Sequence, residues 1–344
     1  MRVIAALDCG TTNSRLSLVD GDGRVVHRGA VKAGVRDTAI RGSNAFLKAE
    51  LLRLLDETLT AAGVSRASVD FVISSGMITS ELGIRELPHL FAPVSMKDLA
   101  GSITRIDPEE SFDPEVPLYL IRGVKNPYDP GANDVSRVGD LDFMRGEETQ
   151  VAGLLELHGG GIPTTMINLS SHSKFIPVDG AGRILGSLTT LSGQVFEALV
   201  KETFIGKSVA PGDGSPWDAE VPFHRETADL AYDIVGEAGL LRAFMMPRFM
   251  DVLLKTDWKR RRAFVESALA ADDLATLRLF PRFGYPYGER IFLVGPAARC
   301  EIFHHYLTDK LGLASEILVV SDPEEVLRLA VLGALHLAAR AGLR

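Results

Sequence analysis

The chain has 344 residues, more than one hydrophobic core usually serves, so two domains are expected. Its 46% hydrophobic and 24% charged content is that of an ordinary globular protein, and a net charge of −8 argues against a general binder of nucleic-acid phosphate. Cys9 and Cys300 are its only cysteines, which excludes a disulfide scaffold; no apolar run reaches the roughly 18–20 residues of a membrane helix; and Asp8 follows too soon for a signal peptide, so a cytoplasmic protein is expected.

Val3 to Leu7 is a short apolar run that ends at Asp8-Cys9-Gly10. Arg15 to Asp20 roughly alternates, Gly21-Asp22-Gly23 makes a hairpin turn, and Arg24 to Val31 reads as a third strand. Ala45 to Ala62 carries Leu47, Leu51, Leu54, Leu55 and Leu59 at helical spacing. Phe71–Ser74 reads as a buried strand running into Ser75-Gly76-Met77, and Pro117–Ile121 as another. Residues 127–142 form a turn-rich exposed loop. Gly146–His158 reads as a helix with Glu147 and Glu148 in its first turn, broken by Gly159-Gly160-Gly161. Ser192–Ile205 and Ala228–Leu254 read as helical, Ile291–Val294 and Ile317–Val320 as strands, and Glu324–Ala341 as a closing helix.

One feature organises this series. "LDCGTTNSRLSLVDGDGR", from Leu7, lies without a gap on "MINLSSHSKFIPVDGAGR", from Met166, at an offset of 159 residues. An internal repeat of this length points to two copies of one α/β domain, each bringing a hydroxyl-rich turn to a shared cleft. Gly10, Thr11, Thr12 and Asn13 in the first copy, and Ser170, Ser171 and His172 in the second, offer backbone N–H groups and hydroxyls as an anion cradle. Asp8 precedes the first turn, and a carboxylate beside bound phosphate calls for a cation between them, which Mg²⁺ supplies by water-bridged contacts.

At these residues the chain resembles the actin, heat-shock-70 and sugar-kinase superfamily. "LDCGTTNSR" resembles its first phosphate motif, "NLSSHSK" its second, and "FLVGPAARCEIFHHYL" its adenosine motif, with Gly295 at the glycine turn. More narrowly, "DFMRGEETQVAGLL", Asp142 to Leu155, resembles the arginine–glutamate segment of the 2-dehydro-3-deoxygalactonokinases. "SSGMITSELG", Ser74 to Gly83, is similar to that family's substrate loop, and "SGQVFEALVKETFIG", Ser192 to Gly206, to a further block. The chain departs from the family at Leu169-Ser170, where proline and glycine stand, at Ile84, where tryptophan is usual, and at Gln194, where glutamate is common.

The resemblance implies an α/β fold of two related actin/ribonuclease-H-like domains facing each other across a nucleotide cleft. They are expected over 1–150 and 151–344, with the closing helix 324–341 packing back across both. It implies ATP and Mg²⁺ as cofactors and transfer of a phosphoryl group to the terminal hydroxyl of a small sugar acid. The expected acceptor is 2-dehydro-3-deoxy-D-galactonate, giving its 6-phosphate; neither nucleic acid nor membrane is an expected partner, and a homodimer follows from the family alone. Another sugar, sugar acid or polyol as acceptor, a nucleotide-binding regulator without turnover, and an actin-like or chaperone ATPase are the alternatives.

In that frame Glu147 takes the place of the aspartate that acts as base in related sugar kinases, with Glu148 about 100° away around the helix; both equally favour a helix N-terminus. Arg145 either pairs with the acceptor's carboxylate or with a structural aspartate. Gly76, Met77 and Ser80 form the substrate loop, unless Met77 is core; Arg85 reads as a surface residue. Lys174 meets phosphate or solvates its strand, and His172, in the turn itself, contacts phosphate or substrate or is a surface residue. Gly206-Lys207-Ser208 is no P-loop, since Lys201 stands where its first glycine belongs. "WKRRR" at Trp258–Arg262 reads as a solvated helix face, adjacent His304 and His305 cannot share a metal, and Cys9 reads as small and buried.

Overall fold

The computed structural model describes residues 2–132 and 134–343; Asn133, within the expected 127–142 loop, lies outside the described residues. The chain divides into two compact units. Unit 1 is Met1–Gly161, Asp179–Ser187 and Leu327–Arg344; unit 2 is Ile162–Val178 and Leu188–Val326. The expected division at 150/151 falls inside the helix Glu147–His158, and the closing helix Pro323–Arg340 joins unit 1 from Leu327 onward.

Unit 1 contains β1 (Val3–Cys9), β2 (Ser14–Asp20), β3 (Val25–Val31), β4 (Val69–Gly76), β5 (Leu90–Phe91), β6 (Thr104–Ile106), β7 (Leu118–Leu120), β8 (Val124–Lys125) and β9 (Phe143–Met144). Unit 2 contains β10 (Thr164–Leu169), β11 (Ser173–Val178), β12 (Leu188–Thr190), β13 (Arg290–Val294) and β14 (Glu316–Val320). The main sheet of unit 1 runs β3-β2-β1-β4-β7-β6 and that of unit 2 β12-β11-β10-β13-β14; β5, β8 and β9 form a small third sheet. In each main sheet an antiparallel three-strand meander continues into parallel strands, β1 with β4 and β10 with β13. Each unit thus carries the same meander-plus-parallel α/β sheet, as the internal repeat leads one to expect.

Burial explains why these segments adopt these elements. Helix Ala45–Ala62 sets Leu47, Leu51, Leu54, Leu55 and Leu59 on one face, all buried with Leu16, Leu18, Val72 and Leu118 of the sheet. Each such leucine contributes about 1.5–3 kcal/mol of burial. The helix ends where Gly63 adopts φ 64°, a left-handed cap that suits glycine. β10 and β11 are buried along their whole length, as strands covered on both faces must be. Within unit 1 the helices Glu147–His158 and Pro323–Arg340 cross so closely that a Cβ on Gly153 would strike the Leu329 carbonyl and one on Gly333 the Thr149 carbonyl.

The repeat is real but not gapless. Cys9 pairs with Ser14 across the first turn and Leu169 with Ser173 across the second, so four residues span the first turn and three the second. β2 and β11 keep the 159 offset, whereas β1 matches β10 at 160. Asp8, paired with Arg15, therefore corresponds to Asn168, paired with Lys174. The hairpins beyond are copies. Asp20 Oδ1 accepts from the Asp22 and Arg24 N–H groups, and Asp179 Oδ1 from those of Ala181 and Arg183. Gly23 and Gly182 adopt φ 78° and 74°.

Two helical expectations need correction. Residues 228–254 are not one helix but Arg225–Ala238, Leu240–Ala243 and Met246–Val252, interrupted where Gly239 turns to φ 81° and restarted with Pro247 in the first turn. The "WKRRR" cluster is not simply a solvated face. Trp258 and Arg261 are buried; Trp258 Nε1 donates to Asp213, and Arg261 donates to the carbonyls of Ser208 and Thr256. A guanidinium here ties helix Trp258–Asp273 to the last turn of helix Ile205–Val209 and to the loop at Thr256, pairing carbonyls at both.

Candidate active site

The site in unit 1 is built where β1 and β4 end side by side. Asp8 lies opposite Ser75 and Cys9 opposite Gly76 in the parallel ladder. Gly76 adopts φ 87°, and a Cβ there would sit 2.9 Å from the Cys9 carbonyl and 3.5 Å from Asp8 Oδ1. Gly146, at φ 107°, caps helix Glu147–His158, and a Cβ on it would lie 3.4 Å from the Gly76 Cα. Two glycines thus bring Asp8, the start of the 77–89 loop and the Glu147-Glu148 helix terminus into one small region.

The first turn is closed by Gly10 N–H donating to the Asn13 carbonyl at 3.0 Å. The Gly10 and Thr11 carbonyls are held by the N–H groups of Val35 and Arg36, at 3.2 and 2.9 Å. Because a trans peptide is planar, drawing those carbonyls back aims the N–H groups of Thr11 and Thr12 the opposite way. Thr11, Thr12 and Asn13 are exposed there. Gly34 makes this possible, since a Cβ on it would lie 2.5 Å from the Gly10 and Thr11 oxygens. Gly193 plays the same part in unit 2, where its Cβ would lie 2.5 Å from the Ser170 carbonyl. Gly34 lies in no motif and Gly193 only at the start of the Ser192–Gly206 block, although the 159 offset matches them.

The two glutamates separate cleanly. Glu148 is fully buried, and both its carboxylate oxygens accept from the Gly146 N–H at 2.9 Å. Burial, reinforced by neighbouring Glu147, pushes its pKa up to about 8. Glu147 is partly exposed, so of the pair it is the one with access to solvent. Asp8 is likewise raised by desolvation, opposed by the Arg15 guanidinium at 3.7 Å. Cys9 is buried, and burial holds its thiol up at about 12, so it is a small core residue.

Arg145, partly buried, does not pair with an aspartate. Nη1 donates to the Thr79 carbonyl at 2.7 Å and its hydroxyl at 2.6 Å, and Nη2 reaches the Leu87 carbonyl at 3.2 Å and His89 Nδ1 at 3.5 Å. Thr79 in turn donates to the Gly76 carbonyl. The structural acid expected as one partner is replaced by carbonyls and a hydroxyl of the substrate loop itself. Ser80 is buried, its hydroxyl donating to the Met77 carbonyl at 2.7 Å, and Met77 is partly buried against the unit 1 core. Ile84 is core, and Arg85 pairs at the surface with Glu110.

In unit 2, Ser170 and Ser171 are exposed, Ser171 Oγ lies 3.1 Å from His172 Nδ1, and Gln194 N–H donates to the Ser171 carbonyl. Desolvation, then Lys174, lowers the His172 pKa. Lys174 is buried along β11, its Nζ donating to Thr189 Oγ1 at 2.8 Å. Gly295, at φ 148°, follows β13, and a Cβ on it would lie 2.8 Å from the Leu169 carbonyl. Gly76 stands in the same relation to Cys9, so the substrate-loop and adenosine-motif glycines are equivalent positions of the repeat. Among the described residues no cluster of three or more acidic, histidine or cysteine side chains is placed to hold a metal, and no helix is long and apolar enough to cross a membrane.

The family model of the 2-keto-3-deoxy-galactonokinases matches residues 8–322. The chain belongs to this family. It is 26% identical over 209 residues to a probable 2-dehydro-3-deoxygalactonokinase of Rhizobium meliloti (strain 1021), covering 61% of this chain and 60% of the relative. It is 26% identical over 212 residues to the 2-dehydro-3-deoxygalactonokinase of Escherichia coli (strain K12), covering 61% of each. Both matches thus span less than two thirds of the relatives' length. A crystal structure of a putative 2-dehydro-3-deoxygalactonokinase from Sinorhizobium meliloti shares the fold, with a TM-score of 0.70, 21% identity, and coverage of 96% of this chain and 95% of that one. The family match takes in the turn at Gly10, the Gly76 loop, the Arg145–Glu148 segment, the turn at Ser170 and Gly295.

Proposed function

We propose that this protein is an ATP-dependent kinase that phosphorylates the terminal hydroxyl of a small sugar acid, with 2-dehydro-3-deoxy-D-galactonate the preferred acceptor. The observation that carries the reading is the convergence of Asp8, Gly76 and the Gly146-Glu147 helix terminus in unit 1, within a chain of this family.

The donor set suits Mg²⁺. One desolvated carboxylate without a ring of other acids fits an ion that keeps several waters and takes its remaining oxygens from phosphate. Asp8 would hold it, and when bound it would neutralise charge building on the transferred phosphoryl group. The outward N–H groups and hydroxyls of Gly10–Asn13 would bind phosphate; in unit 2, Ser170, Ser171 and His172 would form an anion cradle of their own, with Lys174 buried behind it and Gly295 giving a nucleotide close access to backbone. Gly76, Met77 and Ser80 form the acceptor loop, and Arg145 holds its shape. Glu147 accepts the proton of the attacking hydroxyl; Glu148, buried and raised, keeps its own proton near neutrality.

The test is coupled ADP release with MgATP against a panel of 2-keto-3-deoxy sugar acids, aldonates and hexoses, with Glu147→Gln alongside. Acceptor-dependent turnover on the keto-deoxy acids, reduced by about 10²–10⁴ in the variant, is expected. Turnover on hexoses alone would refute the acceptor assignment, and an unimpaired variant would refute the base.

A further inference from the structure

The second turn keeps only part of the support that shapes the first. Its leading residue is Ser170 rather than a glycine and it is one residue shorter; the N-terminus of helix Ser192–Glu202 receives the Ser171 carbonyl through the Gln194 N–H at 3.0 Å, while among the described residues no such backbone N–H at a helix start receives the Leu169 and Ser170 carbonyls. A side chain receives them instead. Arg299, on helix Ala297–His305 just after Gly295, donates from Nη1 to the Leu169 carbonyl at 3.3 Å and the Ser170 carbonyl at 2.8 Å. From Nη2 it donates to the hydroxyls of Ser173 and Ser192, both at 2.9 Å. Those hydroxyls lie 2.7 Å from each other, and Ser192 directly precedes the close-packed Gly193. Behind them Asp273 lies 3.7 Å from Nη2, is 2% exposed, and accepts from Thr190 Oγ1 at 2.6 Å.

We infer that Arg299 is the positioning residue for the second phosphate turn, and that Asp273 is its counter-charge. The guanidinium holds the Leu169 and Ser170 carbonyls back, which by peptide planarity aims the Ser170 and Ser171 N–H groups outward. With the Gln194 N–H on the Ser171 carbonyl, it completes in unit 2 what the backbone of Val35 and Arg36 does in unit 1. The planar fork is essential: a single ammonium cannot span two carbonyls and two hydroxyls. Arg299 therefore acts on nucleotide binding through the turn, without touching phosphate.

This rests on the kinase reading, and the experiment separates the two. MgADP binding to the full-length protein is measured by calorimetry for wild type, Arg299→Lys and Ser192→Ala, together with KM for ATP and for the acceptor and the thermal midpoint. For Arg299→Lys the MgADP Kd and ATP KM are expected to rise about tenfold or more, with acceptor KM within about twofold of wild type. Ser192→Ala, which removes one partner hydroxyl and no charge, is expected to shift Kd in the same direction by about three- to tenfold. Unchanged MgADP binding in folded Arg299→Lys overturns the inference; if that variant does not fold, unchanged binding in Ser192→Ala overturns it. A proportionate loss of nucleotide and acceptor binding also overturns it. Wild-type protein that binds no MgADP overturns the kinase reading beneath it.

Discussion

Replacing Glu148 by glutamine tests the division of labour between the two glutamates without touching the proposed base. Glutamine keeps the shape of the protonated acid and a carbonyl oxygen for the Gly146 N–H, which Glu148 now bonds at 2.9 Å. Its folded pKa stands near 8 against a reference of 4.5, because burial disfavours the charged form. The native state therefore holds a proton that the unfolded chain releases above the reference value. Stability from this group is complete below that value and falls as pH rises through about 8. The displacement corresponds to an upper bound of roughly 5 kcal/mol at high pH. A domain of about 150–250 residues moves its thermal midpoint by about 2–4 °C per kcal/mol. The difference between variant and wild type, followed by thermal unfolding from pH 5 to pH 9, should thus be small at the acid end. It should widen in favour of glutamine up to about pH 8 and then level off, with an upper bound of about 10–20 °C. Parallel pH profiles for the two proteins would refute a buried, proton-holding Glu148, and with it the assignment of the base by exclusion.

Two further outcomes follow from the same geometry. Gly76→Ala forces a side chain into φ 87° and 2.9 Å from the Cys9 carbonyl, so it should cost about 2 kcal/mol or more, read as a lower thermal midpoint. Arg145→Lys should raise acceptor KM about tenfold while leaving ATP KM near wild type, because one ammonium cannot hold both Thr79 and Leu87; steady-state kinetics with each substrate varied decides it.

Much of the fold was legible because its signals are local. The helix Ala45–Ala62 was readable to the residue from leucine spacing, and the meanders from turn chemistry at Asp20–Arg24 and Asp179–Arg183. The strands of the small sheet were not, since two-residue strands carry no periodicity. The one-residue difference between the turns was hidden because serine and threonine repeat on either side of it. At the site, the sequence pointed to Asp8, Gly76, Arg145 and the glutamate pair, but which glutamate is buried depends on how Gly146 turns the chain. Arg299 sits unmarked within the adenosine motif and Asp273 within none: they lie 26 residues apart in sequence, and only the fold brings the guanidinium between the aspartate and the turn it supports.

The correspondence of Asp8 with Asn168 bears on ancestry. A chain made by duplication starts with two identical halves, and identical halves have no front or back. At this rung the halves now differ by one carboxylate oxygen exchanged for an amide nitrogen, while Arg15 and Lys174 opposite keep the same sign. In the kinase proposed above, a carboxylate at this rung would anchor a divalent ion, and an amide would not. A single isosteric swap therefore gives two halves of common pattern different chemistry at one equivalent position.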